Sequence, residues 1–154
     1  MTNTYIALAT TTLSSATSTV TFSSIPATYR DLIVVVNARS STGTTSEFRI
    51  NPNGSTADGT RVVMFGVGSS VSSNLAVGTL PTSSDQFNQF IIQIMDYAQT
   101  DKHKTMLTRQ SWANATVDAQ AMRWAQTTAI TSIQLQGVTQ TMAVGSTFSL
   151  YGVN

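Results

Sequence analysis

His103 is the only histidine in the chain, so a Ser–His–Asp triad would have to use it. It stands between Lys102 and Lys104, and two adjacent cations lower its basicity. No nucleophile-elbow sequence accompanies it. The pattern fits an exposed turn histidine. Asp96, Asp101 and Asp118 are the densest carboxylates, and paired acids can hydrolyse glycosides. However, Asp96 and Asp101 flank one turn, whose backbone amides they can bond. Seven acids in the whole chain leave little for a dedicated oxygen-liganded cation site. Gly66-Val67-Gly68-Ser69-Ser70 has the glycines of a phosphate loop without its lysine. Asn53-Gly54-Ser55 and Asn114-Ala115-Thr116 match the glycosylation acceptor pattern, but no secretion signal precedes them. Titratable groups do not cluster, so the checklist for an active site fails early. The expectation is a chain with no catalytic, cofactor or metal site, and therefore no enzyme. A small hydrolase using His103 or Asp96 is the weakest reading.

Trp112 and Trp124 could serve binding. Exposed, they would stack on sugar rings or anchor a protein interface. Trp112 falls in phase with Met106, and Trp124 with Met122. That phase places them in a core.

The elements that would carry these residues read as short strands. Period-two alternation recurs near 4–10, 17–23, 30–39, 46–51, 61–66, 88–97, 103–112, 120–127, 130–136 and 146–151. In the third segment Leu32, Val34, Val36 and Ala38 share one face, with Ile33 and Val35 on the other. This predicts a central strand covered on both sides. The predicted core also takes Ile92, Ile94, Ile133, Leu135, Phe148 and Leu150. Ser23–Thr28 reads as a crossing loop, with Pro26 fixing its backbone. Asn51-Pro52-Asn53-Gly54 and Gln136-Gly137-Val138 read as turns, and Tyr97–His103 as a polar hairpin tip. The 67–87 segment reads as a long loop or a loop with one short strand, a length often tied to function. Only 81–89 and 112–122 offer weak helical alternatives, the first with a possible N-cap in Thr82–Asp85. No repeat or domain boundary interrupts the chain. The sum is one all-β domain over 1–154, an antiparallel β-sandwich of jelly-roll type.

Composition agrees. Charged residues make up 10%, against about 25% in an average soluble domain. Glu47 is the only glutamate, and Lys102 and Lys104 the only lysines. A helical surface would need many more of both. Net charge is +1, and the six arginines are scattered, which argues against nucleic-acid binding. With no cysteine, stability must come from packing or oligomerisation. No apolar run approaches the roughly 20 residues of a membrane helix, and Met1–Tyr5 lacks the basic start of a signal peptide. A surface poor in charge suits burial in an assembly, because interface cores are depleted of charge.

Three stretches carry a resemblance. They are Phe22–Arg39 (FSSIPATYRDLIVVVNAR), Phe48–Ser55 (FRINPNGS) and the ending Gly145–Asn154 (GSTFSLYGVN). Together they resemble small β-sandwich virion proteins of tailed bacteriophages, including phages of cyanobacteria and marine bacteria. The 56–87 segment departs most from that pattern. The resemblance implies a virion component made in the host cytoplasm. Small size and the lack of a stalk favour a capsid decoration, or cement, protein on the outer shell. Its partners would be the major capsid protein and copies of itself, as a homotrimer joined through 67–87 or the termini. The alternative it implies is a tail-fibre tip that recognises host surface glycans or a receptor.

Overall fold

Alternation with period two allows each strand to bury one face and leave the other open. The chain uses this in twelve strands: β1 (Tyr5–Thr12), β2 (Thr19–Phe22), β3 (Asp31–Ala38), β4 (Ser46–Pro52), β5 (Gly59–Phe65), β6 (Ser69–Ser72), β7 (Ala76–Leu80), β8 (Asn88–Met95), β9 (Lys104–Trp112), β10 (Thr116–Trp124), β11 (Ile133–Gly137) and β12 (Thr147–Val153). The structure is a computed structural model that describes residues 4–42, 46–56, 59–65, 69–72, 76–80, 86–112 and 116–154, with the backbone alone at 60–65, 69–72, 76–80, 112 and 116–118. No helix occurs among the described residues.

The strands form two antiparallel sheets, ordered β1-β12-β3-β8-β9-β10-β5-β6 and β2-β11-β4-β7. Within these lies a jelly roll. The sets β1-β12-β3-β8 and β2-β11-β4-β7 face each other, and along the chain these eight strands switch sheet at every step except from β4 to β7, which pair directly within the smaller sheet. That is the double Greek key of the fold. The remaining pairs β5/β6 and β9/β10 are insertions that widen the first sheet.

Burial explains the layering. On β3, Leu32, Val34, Val36 and Ala38 are fully buried, and Ile92 and Ile94 of β8, Ile133 and Leu135 of β11, and Phe148 and Leu150 of β12 join them in one cluster. Every residue of the predicted core is inside. Phe48 of β4 meets Phe90 of β8 with ring centroids 5.0 Å apart, tying the sheets face to face.

The crossover from β2 to β3 is held by its backbone. Ile25 is buried, and its N–H donates to the Thr131 carbonyl at 3.0 Å. The Tyr97 hydroxyl donates to the Pro26 carbonyl. Tyr97 was expected in a polar hairpin tip, yet it is fully buried. Asp96 takes a positive φ of 49° and turns the chain there, so Tyr97 folds back under the sandwich. The Asp96 N–H donates to Asp31 Oδ1 at 3.0 Å, which anchors the turn.

Three expectations need correction. The 67–87 segment contains two strands, β6 and β7, because β5 and β4 offer them hydrogen-bonding edges. Neighbouring strands can override the weak propensity of Ser and Gly. The strand expected at 120–127 lies instead at Thr116–Trp124, paired with β9 on one side and β5 on the other. This removes the helical alternative at 112–122, while most of 81–89 lies outside the described residues. Finally, β3 is covered on one face only: its outward Val35 is exposed.

Two outcomes test this packing. Ile92→Ala should lose about 2–5 kcal/mol of unfolding free energy by cavity formation, read by urea denaturation. Gly152→Ala should also destabilise, because a Cβ there would stand 2.4 Å from the Tyr29 ring. Tyr29→Ala should relieve that clash, so the double variant should lose less than the sum of the single losses.

Candidate functional site

The structure disperses the residues that could have done chemistry. His103 is exposed, and the Arg123 guanidinium lies 3.2 Å from its Nδ1. Among the described residues no serine or aspartate bonds to His103. Asp96 meets Lys102 at 3.3 Å on the surface, and Asp101 is exposed in the same turn. Asp118 sits on β10 opposite Gln110 and Phe65, on a separate strand pair. The three carboxylates therefore do not converge. Among the described residues no three metal-ligating side chains gather, and no helix is long and apolar enough to cross a membrane. Residues 66–68 and Asn114 lie outside the described residues.

Asn53 proves structural. With φ of 51°, its Oδ1 accepts the Thr131 and Ser132 N–H groups at 2.9 and 3.1 Å. Its Nδ2 donates to the Ala129 carbonyl at 2.9 Å. The turn after β4 is thereby clamped to the entry of β11. Trp124 is buried, as its phase with Met122 required, so it offers no stacking surface.

One buried group escaped the sequence reading. Lys104 is fully enclosed at the start of β9. Its Nζ donates to the carbonyls of Lys102 and Thr127, both at 3.1 Å, and so joins the turn before β9 to the chain after β10. The signal was its phase: Lys104, Met106, Thr108 and Gln110 all point inward. Burial pushes its ammonium below the ordinary lysine value, with Asp101 opposing the shift and Lys102 adding to it. Burial likewise pushes the Tyr97 phenol up.

The feature with functional weight is the outer face of the larger sheet. Among the described residues the exposed large hydrophobic residues are Tyr5 (59%), Val35 (38%), Ile91 (37%), Leu107 (43%) and Val144 (54%). All but Val144 lie on this one face. The register sets Tyr151, Ile33, Gln93, Leu107 and Ala121 in one row across five strands. The next row holds Ser149, Val35, Ile91, Arg109 and Ala119. A groove of about 450 Å³ runs between Ile33, Ile91, Leu107 and Ala121. Contiguous exposed apolar area of this kind marks an interaction site. It can bury apolar surface against a partner.

No family model matches the chain, and no curated protein is significantly similar to it.

The Lys104 clamp generates a prediction. Lys104→Met leaves two carbonyls without their donor and should cost about 1–3 kcal/mol at neutral pH. In the native chain the folded-state value lies below 10.5. Between those two values the unfolded chain holds more protons, so stability should rise with pH. Tyr97 acts in the opposite sense above about pH 10, because its folded-state value is raised. Denaturation curves at several pH values up to 10 should therefore show a rise that Lys104→Met lacks.

Proposed function

We propose that the chain is a structural component of a tailed-phage particle, a decoration protein that binds the outer shell and reinforces it. The observation that carries this reading is the uncovered apolar face of the larger sheet. A sandwich that leaves such a face open is built to be covered in an assembly. The scattered titratable groups support a binding role over a catalytic one. The resemblance to virion proteins supports the class. Its three stretches map to the β2–β3 crossover with β3, to β4 with its turn, and to β12. These build the sandwich, so the resemblance speaks for the fold first. The receptor-tip alternative uses Trp or Tyr against host glycans; burial of Trp124 removes that tryptophan, while Tyr5 stays exposed.

A protein that binds only the assembled shell stabilises it by RT ln(1 + [L]/Kd) per site. At a hundredfold excess over Kd this is about 2.7 kcal/mol per site. Shells lacking the protein should form but rupture at lower temperature. Added protein should restore resistance even in roughly half-molar salt, where exposed charge pairs are screened. Rupture curves that overlay with and without protein would remove the cement role; release by moderate salt would show an electrostatic contact instead.

A further inference from the structure

We propose that the outer face of the larger sheet is covered by the same face of a second copy, giving a two-fold pair. The proposal shares with the shell reading the premise that this face is covered in the working state, and it names the occupant.

Area is the first argument. The six strands from β1 to β10 span about 29 Å at about 4.8 Å per strand. Eight residues of strand rise about 26 Å. The product is roughly 750 Å² of flat face, close to the roughly 800 Å² that each partner of a standard interface buries. The face is large enough to hold a pair without help from another surface.

Charge is the second argument. On β3, Asp31 lies two residues from Ile33. On β9, Arg109 lies two residues from Leu107. Ile33 and Leu107 flank Gln93 of β8 in register. Asp31 and Arg109 therefore stand at opposite ends of a diagonal centred on Gln93. A two-fold axis between the faces, over Gln93 and perpendicular to that diagonal, sets Asp31 of each copy against Arg109 of the other. Two reciprocal ion pairs result. Asp31 already accepts the Asp96 N–H and the Gln93 amide, at 3.0 and 3.3 Å, but a carboxylate has about four acceptor sites. Arg109 has no partner among the described residues of its own chain. The same axis crosses the strands steeply, the orthogonal class of sheet packing, and brings the Ile33 side of one copy towards Ile91 of the other.

The rim is the third argument. Asn37, Gln89 and Ser111 border the apolar rows at one end, and Thr10 beside Ser149 borders them on the β1 side. Hydroxyls and amides both donate and accept, so such a rim can bond to its own copy.

Sedimentation velocity on the full chain, without any shell, tests the proposal. We expect a two-copy species at micromolar concentration. Leu107→Arg and Arg109→Glu should each weaken it at least about tenfold, the second by setting an acid against Asp31. Both residues are exposed, and unchanged thermal melts would certify the fold. Val144→Arg, the exposed apolar position off this face, should leave the pair intact. A monomer up to roughly 100 μM would overturn the proposal, as would a trimer, or an oligomer broken by Val144→Arg and indifferent to Leu107→Arg and Arg109→Glu. Co-sedimentation with emptied shells reads the other proposal separately. A pair that ignores shells removes the shell reading and leaves this one. A monomer that binds shells, and loses that binding on Leu107→Arg, hands the face to the shell.

Discussion

The inward row of β3 is the constraint on which the rest of the molecule depends. Leu32, Val34, Val36 and Ala38 are entirely enclosed, and strand pairing carries their phase outward in both directions. β12 must place Phe148 and Leu150 beside Val36 and Val34, and β8 must place Phe90 and Ile92 there. A slip of one residue in any of these strands would turn its apolar set to solvent. Register in the larger sheet is therefore fixed by burial, with turns following. The second sheet exists because this row needs a lid, supplied by Phe48 and Ile50 of β4 and Ile133 and Leu135 of β11.

Since side chains alternate, burying one face leaves the other fully determined. The opposite row holds Ile33 and Val35, and register aligns it with Gln93, Ile91, Leu107 and Arg109. Among the described residues no second layer lies over it. The chain spends its remaining strands on widening the sheet through β9, β10, β5 and β6. A wide sheet with one apolar cover and one apolar open face is half of a larger packing arrangement.

Polar clamps close the ends of the sandwich where strands change sheet. Asn53 ties the turn after β4 to the entry of β11. Tyr97 ties the turn after β8 to the Pro26 crossover, and Lys104 ties it to the chain after β10. Ser46 does similar work at the other end, where its Oγ accepts the N–H groups of Thr139 and Gln140. Each of these residues satisfies backbone groups that irregular segments would otherwise bury unpaired. Uncharged groups make most of these bonds, so the chain closes its loops with very few charges.

The sequence by itself determined the class, most of the strands and the core. Period-two alternation is a local property, so Leu32, Ile92, Ile133 and Phe148 could be assigned to the interior without knowing their neighbours. It also separated Trp124 from the surface through its phase with Met122. Tertiary structure alone decided what depended on distant partners. β6 and β7 become strands because β5 and β4 pair with them, and Ser- and Gly-rich segments show little alternation of their own. β10 begins four residues early because β9 pairs with it from Thr116 onward and β5 joins the other edge from Asp118. The second cover expected for β3 is absent among the described residues, because alternation reports that a face is apolar and cannot report what covers it. Lys104 and Tyr97 read as turn residues, and only the return of the chain beneath the sheet turned them into buried clamps.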